Sequence, residues 1–137
     1  NPEQTTVRAV VRELHPGYAL VEVEQGGADG VTTTYTYDLR LRRITESNAL
    51  AEVTRFEYDG RGLRTAIIKP ASEDHRWKFD YDAAGRLEKV TDPLQNETVY
   101  GYDPADNLTS ITNARDQVTE HTYDASNRLR RTEHPGG

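Results

Sequence analysis

A chain of 137 residues has the length of one domain. With 34% hydrophobic and 29% charged residues, it has few apolar side chains with which to form a compact core. The net charge of -6 argues against a module that binds nucleic-acid duplexes, because such surfaces are basic. No apolar run approaches the length of a bilayer span, so we expect no membrane insertion by this segment. The absence of cysteine excludes disulfides and thiolate metal sites, and the absence of methionine leads us to expect a piece of a longer protein.

The first 32 residues differ from the rest of the chain. Residues 7–12 and 18–24 have the composition of strands, and His15-Pro16-Gly17 between them is typical of a turn. Residues 25–30 are rich in glycine and predict the tip of a hairpin that returns along residues 31–37. We therefore predict that residues 1–32 form an irregular N-terminal strand and β-hairpin, which can be interpreted as a degenerate repeat.

Residues 33–137 repeat one short motif. The dipeptide Tyr-Asp occurs five times, and the steps between successive tyrosines are 21, 23, 21 and 21 residues. Self-similarity at a fixed period of this size is typical of repeat proteins, in which each unit packs on its neighbours. The sequence therefore predicts five repeats in this range. Their Tyr-Asp positions are Tyr37, Asp38, Tyr58, Asp59, Tyr81, Asp82, Tyr102, Asp103, Tyr123 and Asp124.

Each Tyr-Asp step ends a predicted β-strand with one aromatic face. An aromatic ring stands two positions before every tyrosine, and a threonine or Trp77 stands four positions before it. Residues two apart lie on the same face of a strand, and the positions between them are mostly polar. The residues two positions before the tyrosines are Tyr35, Phe56, Phe79, Tyr100 and His121.

A turn with a defined chemistry follows each strand. Asp favours the first position of a type I turn, where its carboxylate can accept hydrogen bonds from backbone N–H groups. A residue that tolerates the left-handed backbone then closes the turn, three positions after the aspartate. These closing residues are Gly62, Gly85, Asp106 and Asn127. The first copy, at Asp38, looks two residues short, so we expect its turn to differ. Calcium binding explains the aspartates less well, since ligands about 21 residues apart in stacked hairpins form a ladder rather than a cage.

The return strand carries Leu and then Val or Ile three positions apart, as at Leu87 and Val90. This spacing breaks simple alternation, and either a β-bulge or burial of both faces would explain it. A second turn follows at Lys69-Pro70, Asp92-Pro93 and His134-Pro135. The sequence therefore predicts an all-β fold of tandem antiparallel β-hairpins, about 21 residues each, joined in one twisted and curved sheet.

One copy resembles the repeat of the YD-repeat, or Rhs (rearrangement hotspot), family almost in full, since residues 81–94 read YDAAGRLEKVTDPL. The resemblance extends over about residues 33–135. It implies a long β-sheet that closes into a hollow shell. In bacterial toxin complexes and Rhs-type polymorphic toxins such a shell encloses a toxic C-terminal polypeptide, and animal teneurins carry a similar barrel outside the cell.

The resemblance implies that this chain is a structural segment of the shell of a secreted or cell-surface bacterial protein. Its partners would be the rest of the shell and the enclosed toxin polypeptide. We expect no catalytic residue, cofactor or metal, because no arrangement of serine, histidine or paired carboxylates stands out from the acidic background. The residues assigned to the repeat motif are the five Tyr-Asp pairs together with Gly62, Gly85, Asp92 and Pro93.

The aromatic face leaves a second function open. Aromatic side chains on a solvated sheet can pack against each other across strands, or they can stack on sugar rings and guest side chains. Trp77, Phe79 and Tyr100 are the candidates for contact with a ligand or guest. The alternative function is therefore a carbohydrate-binding or cell-adhesion surface module, with glycans as partners. In either case a single segment of the sheet has two unpaired edges, so we expect edge-to-edge self-association.

Overall fold

The computed structural model describes residues 6–15, 18–26, 32–70, 72 and 74–136, with side chains from residue 33 onward. These residues form twelve β-strands, and no helix occurs among them. The described part of the chain thus includes no helix long and apolar enough to cross a bilayer. The predicted all-β fold of tandem antiparallel hairpins is confirmed. Most of the predicted turn at 15–17 and of the predicted loop at 25–30 lies outside the described residues.

The chain divides into two compact units, and the first is Asn1–Arg76. Its described strands are β1 (Thr6–His15), β2 (Tyr18–Gly26), β3 (Thr32–Tyr37), β4 (Arg43–Ser47), β5 (Val53–Tyr58) and β6 (Arg64–Ile68). Each strand pairs antiparallel with the next along the chain. β1 and β2 have 10 and 9 residues, whereas the strands of the repeats have five or six. The boundary predicted between residues 32 and 33 stays a prediction.

The second unit is Trp77–Gly137, and its first strand begins one residue earlier, at Arg76. Its strands are β7 (Arg76–Tyr81), β8 (Leu87–Thr91), β9 (Glu97–Tyr102), β10 (Leu108–Thr112), β11 (Val118–Tyr123) and β12 (Leu129–Glu133). They also follow one another in sheet order. Strands of six residues that end in Tyr alternate with return strands of five residues, which is the predicted repeat.

A β-bulge at the start of each return strand explains the spacing of its apolar residues. In the hairpin of β7 and β8, Tyr81 pairs with Leu87 but Asp80 pairs with Lys89, so the register skips Glu88. The other four repeat hairpins skip a residue at the same place. The extra residue brings Leu87 and the residue three positions later onto one face of the sheet. The alternative of burial on both faces is therefore not needed.

Few side chains are deeply buried. In the first unit these are Phe56 on the aromatic face and Ala66 and Ile68 on the opposite face, with 7%, 1% and 5% of their surface exposed. In the second unit Thr91 is buried. A single sheet layer has no second layer to cover its faces, so the low apolar content of the sequence is sufficient for this fold.

The turn at Asp38 has the same geometry as the other Tyr-Asp turns, and the prediction that it differs is wrong. The Asp38 N–H donates to the Arg42 carbonyl, and the Leu41 N–H donates to the Asp38 carbonyl, both at 2.9 Å. Leu41 takes a φ of 59°, in the left-handed region that Gly85 occupies at 85° in the third copy. A leucine is tolerated there because its side chain, 75% exposed, extends into solvent, while the surrounding hydrogen bonds hold the backbone.

Replacing Gly85 by valine should lower the free energy of unfolding by about 1–2 kcal/mol, because a β-branched residue is strained at positive φ. Denaturation by urea measures this change. The matched control is Gly60→Val, since Gly60 has no left-handed φ and an added Cβ meets no atom within 4 Å. Gly85→Asn should lower the free energy of unfolding less than Gly85→Val does, because Asn127 occupies the same turn position at φ 57°. Equal losses of unfolding free energy in Gly85→Val and Gly60→Val would contradict the view that the positive φ at Gly85 strains a valine.

Candidate functional site

The Tyr-Asp turns are held by the aspartate side chain. In each repeat turn, one carboxylate oxygen of the Asp accepts a hydrogen bond from the backbone N–H four residues later. At Asp103 this oxygen accepts from the N–H groups of both Ala105 and Asn107, at 2.9 Å each. Two backbone bonds close the same turn, from Asp103 N–H to the Asn107 carbonyl and from Asp106 N–H to the Asp103 carbonyl. The carboxylate therefore caps the loop that the backbone closes.

The turns at the opposite ends of the strands have the same side-chain cap, which the sequence analysis did not predict. Asp92 accepts from the N–H groups of Leu94 and Asn96, at 2.8 Å each, with Pro93 at the second position of the turn. Asn48 and Asn113 accept from residues two and four positions later in the same way. The sequence analysis had predicted a second turn only where a proline stands, at Lys69-Pro70, Asp92-Pro93 and His134-Pro135. The signal it missed is an Asp or Asn directly after the return strand at positions 48, 92 and 113.

The hydrogen bonds of the turns lower the pKa of their carboxylates. The backbone N–H and the guanidinium of Arg86 lower the pKa of Asp82, and the Asn107 side chain and backbone lower the pKa of Asp103. Burial by itself would raise the pKa of Asp38, but hydrogen bonds from Arg42 outweigh it and the pKa is lowered. A carboxylate that accepts several N–H bonds favours its charged form, so these groups act as permanent acceptors at neutral pH.

An arginine four residues after the aspartate joins one turn to the next. Arg86 donates through Nε to Asp82 at 2.7 Å and forms an ion pair with the same carboxylate. Its Nη1 donates to the carbonyl of Asp103, in the next turn, at 3.1 Å. Its guanidinium carbon lies 4.7 Å from the ring centroid of Tyr102, in a cation–π contact. One side chain thus caps its own turn and contacts both residues of the next Tyr-Asp pair.

The same arrangement recurs in the first unit. Arg42 donates to Asp38 at 2.7 Å and to the carbonyl of Asp59 at 3.3 Å, and its guanidinium lies 4.7 Å from the ring of Tyr58. In the second unit Asn107 takes the position of the arginine, donating to Asp103 at 2.9 Å and to the side chain of Asn127 at 3.0 Å. The signal in the sequence is the residue four positions after the aspartate, which is Arg42, Arg86 or Asn107 in these copies, and sequence reasoning did not single it out.

The tyrosine hydroxyls connect neighbouring hairpins. Tyr102 donates to the carbonyl of Leu87 at 2.9 Å, and Tyr123 donates to the carbonyl of Leu108 at 2.9 Å. Tyr58 donates to the carbonyl of Arg43 at 2.8 Å. In each case the acceptor is the first residue of a return strand, directly before the bulged residue, and lies fifteen residues before the tyrosine. Because the bulge interrupts the ladder, the hydroxyl occupies a position where backbone pairing is irregular.

The three candidate contact residues lie on the aromatic face. Trp77 and Phe79 are two apart in β7, and Tyr100 lies in β9 on the same face, because Phe79 pairs with Val90 and Val90 with Thr98. Trp77 is 36% exposed. On the corresponding face of the first unit, Phe56 is covered by the guanidinium of Arg43 at 4.5 Å. The described face therefore contains both packed and accessible rings, and contact of the three residues with a ligand stays a prediction.

Other chemistry is sparse in the described residues. No group of three or more His, Asp or Glu side chains is placed to hold a metal ion among them. The carboxylates of the repeat turns already accept hydrogen bonds within the chain, as at Asp38 and Asp124. The site that the geometry defines is thus a structural contact of the Tyr-Asp turn with the Arg or Asn four residues after the Asp, which caps Asp38, Asp82, Asp103 and Asp124.

A sheet of tandem hairpins joined by repeated turn contacts defines a structural β-repeat protein. The RHS Repeat family matches residues 81–117 and 102–137 of the chain. A toxin protein of Pseudomonas aeruginosa, Tse5, is 41% identical over 90 residues, which are 63% of this chain and 6% of Tse5. The chain thus corresponds to a small part of this curated relative.

Solved structures of toxin complexes share the fold. A structure of TcdB2-TccC3 matches 76% of this chain with a TM-score of 0.66 and 20% identity, and the chain covers 6% of it. A structure of TcdB2-TccC3-Cdc42 matches 95% of this chain with a TM-score of 0.67 and 15% identity, and the chain covers 8% of it. The family match thus covers residues 81–137 as RHS repeats, and the solved structures show that the chain shares their fold.

Replacing Tyr102 by phenylalanine should lower the free energy of unfolding by about 0.5–1.5 kcal/mol, because the hydroxyl bond to the Leu87 carbonyl is lost. Tyr100→Phe is the matched control, since phenylalanine already stands at the corresponding position in Phe56 and Phe79. Urea denaturation of the two variants compares the losses. Similar losses of unfolding free energy in both variants would show that the hydrogen bond of the Tyr102 hydroxyl does not stabilise the fold.

Acid should destabilise the sheet through its turns. Carboxylates with a lowered folded pKa stabilise the fold above the unfolded value near 3.9, and this stabilisation is lost as pH falls through the folded pKa. Asp103→Asn should keep the turn capped, as Asn113 does in a turn at the other ends of the strands. Because the amide does not titrate, the free energy of unfolding should fall less steeply between about pH 5 and pH 2. Urea denaturation across this range measures the slope, and an unchanged slope would argue against titration of Asp103.

Proposed function

We propose that this chain is a wall segment in the shell of a larger Rhs-type toxin protein, and that the shell encloses a toxic polypeptide. The observation that carries the proposal is the contact between successive turns, as from Arg86 to Tyr102 and Asp103. This contact needs only the next repeat to continue, so the arrangement can extend along a sheet of any length. Containment requires an extended, stiff surface rather than a pocket with reactive groups.

The relatives support a role in toxins. One is named a toxin protein and matches over 90 residues at 41% identity, and the solved structures of similar fold are toxin assemblies. The role proposed for this chain is structural and not catalytic. Its partners in the proposal are the remaining shell and the enclosed polypeptide, and the parent protein is secreted or exposed at a bacterial cell surface.

The mechanism of containment would rest on the backbone. In a continuous antiparallel sheet the N–H and C=O groups pair between strands, which leaves few polar backbone groups to bind or unfold a guest. The turns at both ends of the strands are capped by side chains, by Asp103 at one end and by Asp92 at the other. A guest would thus meet side chains of one face and no unpaired strand edge within the wall.

The test is protection of the guest in the full-length parent. Limited proteolysis of the purified parent should leave the stretch that follows the repeats intact while exposed segments are cut. A variant with Gly85→Val and Tyr102→Phe weakens two contacts of the wall and should increase cleavage of that stretch, whereas Gly60→Val with Tyr100→Phe should not. Cleavage of the following stretch at the same rate in wild type and in both variants would contradict containment.

The accessible ring of Trp77 supports the alternative of a glycan-binding or adhesion surface. It is 36% exposed and shares a face with Phe79, and flat exposed rings can stack on sugars. Trp77 is the only tryptophan of the chain, so its fluorescence reports directly on this site. Saturable quenching by an oligosaccharide, together with loss of binding of the same oligosaccharide to Trp77→Ala in calorimetry, would favour this function over containment. Fluorescence unchanged across a glycan panel would count against it.

A further inference from the structure

The turn at Asp59 differs from the other Tyr-Asp turns in the residue that follows the aspartate. Gly60 stands there, whereas the other four copies carry Leu39, Ala83, Pro104 and Ala125. An aspartate before a glycine rearranges more readily than one before a larger residue, because the glycine rotates freely and no side chain hinders its nitrogen. This turn therefore joins a structural cap to a chemically reactive dipeptide.

The Gly60 nitrogen is not one of the groups that close this turn. The Asp59 N–H donates to the Leu63 carbonyl at 2.9 Å, and the Gly62 N–H donates to the Asp59 carbonyl at 3.0 Å. A Cβ added at Gly60 would meet no atom within 4 Å, so the side of Gly60 on which a side chain would lie is open. The loop thus closes without the Gly60 N–H and leaves room around this residue.

Arg61 holds the side chain of Asp59. Its Nε donates to one carboxylate oxygen at 3.0 Å, and the other oxygen accepts from the Leu63 N–H at 2.9 Å. In the other four turns the side-chain donor is the Arg or Asn four residues after the aspartate, a position that Leu63 occupies here. The Arg61 side chain is 48% exposed, whereas that of Arg42 is 25% exposed. A half-exposed arginine inside the loop therefore replaces the usual clamp.

The bonded carboxylate is the unreactive form of this side chain. Burial by itself would raise the pKa of Asp59, but hydrogen bonds from the Leu63 N–H and from Arg61 outweigh it, and the pKa is lowered. The rearrangement needs the neutral carboxyl, because one of its oxygens leaves as water. Release of the carboxyl from its partners must therefore precede the reaction.

We propose that Asp59 is a site of isoaspartate formation, and that Arg61 is the positioning residue that limits its rate. After release of the carboxyl, the Gly60 nitrogen attacks the Asp59 Cγ. The N–Cγ bond forms, the Cγ–OH bond breaks, and the hydroxyl leaves as water with the proton of the nitrogen. The product is a five-membered succinimide ring.

Water then reopens the ring at either of its two carbonyl carbons. Opening at Cγ restores aspartate, and opening at the backbone carbonyl carbon gives isoaspartate, in which the chain runs through Cγ. One water is lost and one is gained, so no oxidant, reductant or other reactant is needed. Because the reaction is confined to one loop, the inference does not depend on what surrounds this loop in a larger protein.

Isoaspartate would undo the turn. It adds one CH2 group to the backbone and turns the former backbone carbonyl of Asp59 into a free carboxylate. That carbonyl accepts from the Gly62 N–H at 3.0 Å and from Arg42 Nη1 at 3.3 Å. The modification therefore opens the loop and alters the contact with the preceding turn, so it would weaken the sheet at this hairpin.

Incubation of the full-length protein that contains this chain, at neutral pH, followed by digestion and electron-transfer mass spectrometry, measures isoaspartate at each position. Isoaspartate should accumulate at Asp59 and not at the other four Tyr-Asp aspartates. Gly60→Ala should slow its formation about tenfold, because a methyl group restricts the rotation that brings the nitrogen to Cγ. This variant keeps the turn, since Ala83 and Ala125 occupy the same position in other copies.

Arg61→Ala tests the positioning role. It should accelerate isoaspartate formation at Asp59 about threefold to fivefold, because an exposed ion pair no longer holds the carboxylate. Arg115→Ala, at an exposed turn at the other ends of the strands, is the matched control and should leave the rate unchanged. The Asp29-Gly30 step, outside the described residues, is an internal control, and its rate should be the same in wild type and in Arg61→Ala.

Two kinds of result would overturn the proposal. Equal isoaspartate at all five Tyr-Asp steps, or none at Asp59 while Asp29 is converted, would exclude Asp59 as the site. An unchanged rate in Arg61→Ala, or the same acceleration at Asp29 as at Asp59, would exclude the role of Arg61. None of these results bears on the protection of a guest, so the proposed function stands or falls separately.

Discussion

The capped turn is the constraint on which the rest of the sheet depends. A side-chain oxygen that accepts from two backbone N–H groups fixes a loop of five residues, as at Asp103. The fourth residue of the loop is then held in a left-handed conformation, and six of these residues in the described chain are not glycine. Such residues are strained by themselves, so the cap and the flanking backbone bonds must together outweigh the strain. The turn is thus specified by its first residue more than by its fourth.

The turn determines the contacts between repeats through the bulge. The loop enters the return strand with one extra residue, as at Glu88, and this shift aligns Leu87 and Val90 with the aromatic face. It also leaves the carbonyl of Leu87 for the hydroxyl of Tyr102 in the next hairpin. The repeats of Tyr58, Tyr102 and Tyr123 thus complete the hydrogen bonding of the repeat before them, and such coupling between nearest neighbours is the physical basis of cooperativity in a repeat protein.

The repeat period, the strand pattern and the turn positions could be predicted because they depend on local chemistry. Tyr-Asp at intervals of about 21 residues marks where strands end, and alternation assigns the aromatic face. The turn at Asp38 was predicted wrongly because Leu41 gives no sign of a left-handed backbone, which surrounding contacts impose on it. The role of Arg86 was missed because its partners, Tyr102 and Asp103, are distant in sequence and come together only through strand pairing. Contacts of this kind depend on the register in which the strands pair, and this register is not evident from a single sequence.

A sheet with so few buried side chains must obtain its stability from elsewhere. Phe56, Ala66 and Ile68 are the buried apolar residues in the described part of the chain, and they all lie in the first unit. In the second unit the corresponding stabilisation has to come from strand pairing, capped turns and half-buried side chains spread over every hairpin. Stabilisation that is distributed in this way can continue along a sheet, because the contact between neighbouring hairpins recurs with the same geometry at Tyr58, Tyr102 and Tyr123.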